Sequence, residues 1–375
     1  MPPNVLFITC HDLGRHLNCY GRHTVRSDAL DALAEDGVLF ENAFCTAPQC
    51  SPSRAALHTG RHAHTVGMMG LAHRPFGWRL RAGEHHLAGL LREAGFETIL
   101  LGVQHLTRTP EVAALGYDHY EREEPVVPAP ELAARAEAFL LDAGRRERPF
   151  YLEVGFFEPH RPYDWGGAQP DDSKGVGVPP YLADTPEARE EFRALQGAIR
   201  RLDEGVGRIL AVLDKGGLAE NTWLIFVTDH GIAMPWAKCT LYDPGIEVAL
   251  IMRWPAAGVG GGKRYRELIS HVDVAPTILE GLGLPIPAEM HGRSFWHLLQ
   301  GLPYRPNSHV FAEKTFHTAY EPVRCIRTET HKLIVNFEID TRLNVPDDVR
   351  TGPLYASLAA ELVGQRDPIE LYNLR

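Results

Sequence analysis

Two aspartates close apolar runs, and each has a histidine beside it. "NVLFIT" (4–9) leads through Cys10 into His11 and Asp12, and "TWLIFVT" (222–228) leads into Asp229 and His230. Carboxylates gathered at one end of a sheet repel each other, and a divalent cation is an economical way to hold them together. Oxygen ligands suit Ca2+ or Mg2+, while imidazoles widen the choice toward Mn2+ or Zn2+. A single aspartate could equally cap the next turn; two matched run ends favour the cation. The third feature is "APQCSPSRAALHTGR" (47–61). Ser51 reads as the N-cap of a helix, Pro52 as its first residue and Gly60 as its end. Cys50 then stands at the positive end of that helix, where an anion is favoured. Arg54 adds a planar fork for an oxyanion. An isolated cysteine is usually a buried thiol, but Cys-X-Pro-X-Arg followed by Thr-Gly reads as a reactive centre.

The elements that must position these groups follow a repeating pattern. Apolar runs of strand length, 4–9, 97–103, 149–157 and 222–228, lead into His11-Asp12, Gln104-His105, Glu158-Pro159-His160 and Asp229-His230. A fifth run, "EVALIMRW" (247–254), stops at Pro255. Runs apolar throughout suit strands covered on both faces. Helical periodicity lies between them, over 27–40, 85–96, 130–144 and 186–217. Alternating strand and helix predicts an α/β fold with a mostly parallel sheet, whose active site lies at the carboxyl ends of the strands. From about Tyr304 short strands take over ("HVFAEKTF", "VRCIRTET", "HKLIVNFEI"). The expected division is therefore a catalytic domain over 1–303 and a smaller sheet-containing region over 304–375.

Composition narrows the function. The formal charge of -10 argues against nucleic-acid partners, so any anionic substrate must meet locally gathered cations. No apolar run reaches the ~18 residues of a membrane span, and "MPPNVLFITCHD" lacks the basic and long apolar parts of a signal peptide. The six cysteines are scattered, as expected of reduced thiols, and a cytoplasmic location is the expectation.

The segment "CSPSRAALHTGR" resembles the signature of the type I sulfatases, the formylglycine-dependent branch of the alkaline phosphatase superfamily; Cys50, Pro52 and Arg54 fill its Cys-X-Pro-X-Arg core. "SDALDALAEDGVLFENAFC", "SHVDVAPTILEGLGLP" (270–285), "HGRSFWHLLQG" (291–301) and "PIELYNLR" resemble further family stretches. "HTVGMMGL" (64–71), "FFEPHRPY" (156–163) and "TDHGIAMPWAKCTLYDPG" (228–245) are most similar to the sulfamidase subgroup and its bacterial relatives. The resemblance implies an alkaline phosphatase-like α/β/α sandwich with an antiparallel sheet in the C-terminal region. It also implies metal-dependent hydrolysis of a sulfate ester or sulfamate, on a sugar. Cys50 would be oxidised to formylglycine by a formylglycine-generating enzyme. The hydrate attacks sulfur, and the geminal diol later expels sulfate by collapsing to an aldehyde.

Carried over by position, Asp12, Asp229 and His230 match metal ligands, joined by the modified Cys50 and by His11. Ca2+ is the expected ion, with Mn2+ as the alternative. Arg54 would hold the hydrate, His105 would contact the hydrate or sulfate, and His160 or Lys238 would protonate the leaving atom. Gln104, His64 and His317 are the expected substrate contacts. The chain departs from the family in having His11 for an aspartate, Val103 for a sulfate-binding lysine and His230 for an asparagine. The departures at Val103 and His230 motivate a second reading, a phosphonate monoester or phosphodiester hydrolase with the same nucleophile. A third is a catalytically silent, sulfatase-like binding protein.

Overall fold

The computed structural model describes residues 2–121, 126–143, 148–339, 345–358 and 366–375. Its central sheet has eight strands in the order His119–Tyr120, Glu97–Gly102, Phe150–Gly155, Asn4–Cys10, Thr222–Thr228, Leu250–Arg253, Val38–Phe40 and Lys263–Tyr265. Leu250–Arg253 pairs antiparallel with both neighbours, and the remaining pairings are parallel. The apolar runs therefore form the expected mostly parallel sheet.

Both faces of that sheet are covered, which is why its strands are apolar throughout. Leu6, Ile8, Leu152, Leu224 and Phe226 point into one core with helices Asp28–Asp36, Ala129–Ala143 and Pro186–Lys215. Val5, Phe7, Tyr151, Trp223 and Ile225 point into a second core with helices Cys50–Thr59, Leu87–Glu93 and Val274–Gly281. Alternate residues of one strand thus serve opposite layers. Among the described residues no helix is long and apolar enough to cross a membrane.

The helix expected over 27–40 stops at Asp36. Gly37 follows, packed so closely that a Cβ would meet the Met252 carbonyl oxygen at 2.5 Å. Val38–Phe40 then joins the sheet instead of extending the helix.

A second, four-stranded antiparallel sheet comprises His309–Phe316, Tyr320–Thr328, His331–Asn336 and Ile369–Asn373. The first three match the expected short strands, and the fourth is made by "PIELYN". This sheet docks beside the strand ends: Lys314 Nζ donates to the Cys239 carbonyl at 2.6 Å and Lys332 Nζ to the Leu241 carbonyl at 2.6 Å. Its Val310, Ala312, Val323 and Ile334 complete the second core.

Candidate active site

The carboxyl ends of four adjacent parallel strands deliver His11-Asp12, His105, His160 and Asp229-His230 to one place, and the Cys50 helix points its first residue at them. Gln49 is the N-cap and Cys50 opens the helix, two positions earlier than the expected start with Ser51 as cap; no side chain caps it, and Gly60 ends it in the left-handed region. Pro52 still falls in the first turn, where its missing N–H costs nothing. The backbone is unusual at this end of the sheet. Asp12, His105 and Cys239 all have positive φ (53°, 56° and 65°), conformations that non-glycine residues hold only when their surroundings over-determine them. At Gly231 the chain passes so near Pro244 that a Cβ would meet its carbonyl oxygen at 1.9 Å.

His11, Asp12, Cys50 and Asp229 each offer one ligand atom, all within 4.8 Å of one another and all buried. His230 completes the group. Its Nδ1 lies 2.9 Å from the Gly231 carbonyl, which assigns the proton to Nδ1. Nε2 then presents a lone pair 3.3 Å from Cys50 Sγ and 3.2 Å from Asp12 Oδ1. Both ring nitrogens of His11 and Oδ1 of Asp12 are buried without a hydrogen bond among the described residues. Burial, with Arg54 and neighbouring histidines, holds His11 well below its ordinary range and so neutral. His11 Nδ1 lies 3.3 Å from Asp229 Oδ2, but a neutral imidazole keeps one lone pair, and acceptors of two imidazoles and two carboxylates brought together in a dry pocket are unfavourable unless a cation sits between them. The donor set fits a divalent metal ion.

Beside this group stands a second one. Asp12, His160 and Asp348 also bring ligand atoms within 4.8 Å, but here the protein supplies the cation. Lys238 Nζ lies 2.7 Å from Asp12 Oδ2, 2.7 Å from Asp348 Oδ2 and 3.5 Å from His160 Nε2. Burial works against the ammonium, but Asp12 and Asp348 outweigh it and hold Lys238 well above the ordinary lysine range. Burial alone would raise Asp12, yet Lys238, His160 and His230 keep it below the usual carboxylate range. His160 Nδ1 lies 2.6 Å from the Arg161 carbonyl, leaving Nε2 to face Lys238, Asp12 (3.7 Å) and Asp348 (3.8 Å).

Other expected residues fall in varied places. Arg54, fully buried, donates to Asp229 Oδ2 (3.3 Å), Thr9 Oγ1 (3.1 Å), Cys10 O (3.1 Å) and Val103 O (3.4 Å), so it ties strand ends together. His105 lies near His11, with tilted rings and centroids 5.5 Å apart, and it stacks on His73, which it meets through Nε2 at 2.8 Å. His317 is buried, and burial, then Lys238, push its imidazole down to about 3. Two further expected residues are held by partners outside the ligand group. Gln104 donates to the Thr107 carbonyl at 2.7 Å and accepts from the Leu106 and Thr107 amides, so it braces its own loop. His64 is tied to Glu313 of the second sheet at 2.7 Å, and its described contacts include none of the ligand group. Sequence reasoning missed Asp348 and His73. Asp348 sits in "PDDVR", which reads as an ordinary helix start, and His73 lies in a loop with no motif around it.

Comparison with known proteins places this geometry. The sulfatase family profile matches residues 3–284, and a profile for the C-terminal part of N-sulphoglucosamine sulphohydrolase matches 230–351. Human N-sulphoglucosamine sulphohydrolase is 28% identical over 95% of this chain and 78% of its own length. An ulvan-active sulfatase of Formosa agariphila is 28% identical over 89% of this chain; the chain spans just under two thirds of that relative, 66%. Among solved structures, a 2-O glycosaminoglycan sulfatase superposes with a TM-score of 0.74 at 22% identity, covering 96% of this chain and 90% of its own. A protein solved with its substrate D-glucosamine-2-N,6-O-disulfate superposes with a TM-score of 0.72 at 18% identity, covering 96% of each chain. Those two likenesses establish the alkaline phosphatase-like sandwich. With the family profile spanning Cys50 and the whole buried ligand group, the chain belongs to the sulfatase family.

Proposed function

We propose that this chain hydrolyses a sulfate ester or sulfamate on a saccharide, with residue 50, converted from cysteine to formylglycine, as nucleophile. The observation that carries the reading is the placement of Cys50. It opens a helix with its Sγ 3.3 Å from His230 Nε2, inside the buried group of His11, Asp12 and Asp229. The saccharide follows from the relatives, which include N-sulphoglucosamine sulphohydrolase and ulvan-active sulfatases. The same relatives weigh against the phosphonate and binding-protein alternatives.

His11, Asp12, Asp229, His230 and residue 50 would hold the divalent cation. We propose Ca2+ for the two carboxylates, with Mn2+ as the alternative that suits the two imidazoles. Such a cation supplies charge stabilisation at the sulfate oxygens and lowers the pKa of a hydroxyl bound to it. A hydrated formylglycine supplies a hydroxyl nucleophile and a second hydroxyl through which sulfate can later be expelled. Conversion by a formylglycine-generating enzyme belongs to the same proposal.

The remaining work falls to the chain's own residues. Arg54 holds the ends of three strands and Asp229 in register. Lys238 lies against both Asp12 and Asp348, and a lysine ammonium has one donor more to offer an anion. His160 faces the same space with Nε2 and is the candidate to give a proton to the leaving oxygen or nitrogen. His105 lies on the far side of His11, at the edge of the nucleophile.

The deciding measurement is the mass of the peptide containing residue 50, from protein co-produced with a formylglycine-generating enzyme. An aldehyde there, with turnover of an aryl sulfate that disappears in Cys50→Ala, is the expected result. An unmodified thiol, with the converting enzyme active on a control peptide, would refute the proposed nucleophile.

A further inference from the structure

Asp348 belongs to two features at once. It comes from the short helix Asp347–Arg350, 110 residues from Lys238 in sequence, yet its Oδ2 accepts from Lys238 Nζ at 2.7 Å and lies 3.8 Å from His160 Nε2. It also lines a cavity of about 600 Å3 together with Arg161, Tyr163, Asp164, Glu190 and Glu191. Arg161 is the basic residue of that wall, and it is already spent: it pairs with Glu191 and donates to the Ala233 carbonyl. Among the lining residues no free cation offsets Asp164 and Glu190, and Asp348 shares its one cation, Lys238, with Asp12.

We infer that Asp348 sets the charge class of the substrate: the site takes a saccharide whose leaving-group side is uncharged or positively charged, and rejects one carrying a carboxylate or a further sulfate there. The inference rests on the sulfatase reading above. A leaving atom protonated by His160 passes within reach of Asp348, because the two side chains are neighbours. A hydroxyl or ammonium at that point finds a charged acceptor. A carboxylate or second sulfate there meets the partly buried Asp348, in a cavity whose lining also carries the exposed carboxylates of Asp164 and Glu190, and like charges repel. Lys238 does not offset such a group, since its single positive charge is shared between two carboxylates, Asp12 and Asp348. Selectivity thus comes from a built-in repulsion as much as from attraction.

The test uses the metal-loaded protein carrying formylglycine and three phenyl sulfates, substituted with aminomethyl, hydroxymethyl or carboxymethyl groups. The expected order of kcat/KM is ammonium, then neutral, then carboxylate, with at least about tenfold between the extremes. Asp348→Asn should compress that ratio about tenfold or more, whatever happens to the absolute rates. If Asp348 only steadies Lys238, the variant slows all three probes by the same factor, and the inference is overturned. A wild-type protein with no preference, or the reverse one, overturns it without any variant. Failure of the loaded protein to turn over any probe would count against the sulfatase reading instead. Calorimetric affinities of the same probes for Cys50→Ala still read the charge order in that case, and a missing order there overturns the inference alone.

Discussion

His58 Nε2 lies 3.3 Å from Glu153 Oε1, with both side chains fully buried between the helix that begins at Cys50 and the central sheet. Tyr117 and Tyr151 donate to Glu153 Oε2 at 2.5 Å and 2.8 Å, and His86 stacks on His58 with centroids 4.7 Å apart. The helix that begins at Cys50 is therefore pinned two turns below that residue by a charged group that water does not reach. Removing one partner of such a pair strands the other, at a cost of about 3–5 kcal/mol. Glu153→Ala should lose that much in urea unfolding, while Glu153→Leu combined with His58→Leu should lose clearly less than the two single changes added together.

The same carboxylate carries a pH signature. Burial would raise Glu153, but His58, His86 and Tyr117 hold it down from 4.5 to about 2. A depressed acid contributes stability that is present above its unfolded value and lost as pH falls through the folded one. The stability gap between wild type and Glu153→Gln should therefore be constant above pH 4.5 and close progressively toward pH 2, read from urea midpoints across that window.

Asp203 behaves in the opposite sense. It accepts from the Ala29 and Leu30 amides at 3.0 Å and 2.8 Å, at the start of the helix Asp28–Asp36. Burial nevertheless pushes it from 3.8 up to about 7. A raised acid contributes stability that is full below its unfolded value and lost as pH rises through the folded one. Wild-type stability should therefore fall between pH 4 and pH 7 by a few kcal/mol, roughly 1.4 per unit of pKa difference. Asp203→Asn should flatten that slope; an unchanged slope would assign it to other groups.

How much of this was readable beforehand depends on where the information lies along the chain. "TWLIFVT" is strand over its whole expected length, 222–228, because both of its faces are covered and no polar residue interrupts it. The helix over 27–40 was overrun by four residues because Val38–Phe40 continues the apolar pattern, and the tight fit of Gly37 on Met252 is a tertiary fact. Among the site residues, those directly after apolar runs (Asp12, His105, His160, Asp229, His230) came together as their positions implied. Asp348 did not announce itself, since nothing in "PDDVR" points to a lysine 110 residues away. Gln104 braces its own loop, a service that a polar residue after a strand can give as well as contact to a ligand.

Metal binding should be visible without any substrate. Three buried polar atoms of His11 and Asp12 have no hydrogen bond among the described residues, so a divalent cation that enters stabilises the folded state selectively. At a free concentration 100 times Kd the gain is about 2.7 kcal/mol by mass action. Calcium and manganese should each raise the Tm of metal-stripped protein, and the size of the two shifts at matched concentration ranks the ions. Asp229→Asn should abolish most of the shift. A stripped protein whose Tm neither ion moves would mean that these lone pairs are reconciled in some other way.

Arg54 separates two roles that coincide in this site. Its guanidinium reaches Thr9, Cys10 and Val103 as well as Asp229, at the ends of three strands of the central sheet, with no exposed surface. A lysine ammonium is a point donor on a flexible stem and cannot reproduce that fork. Arg54→Lys leaves at least two strand-end acceptors short of a partner, each at about 1–3 kcal/mol, so a loss of roughly 2–6 kcal/mol in unfolding is expected. Turnover should fall with it by about 100-fold or more, because Asp229 would no longer be held in place for the cation. The two readouts together decide the role. A stable Arg54→Lys protein with no activity would mean that the arginine faces the sulfate directly. A destabilised protein whose remaining folded fraction still turns over normally would mean that it acts on the scaffold alone.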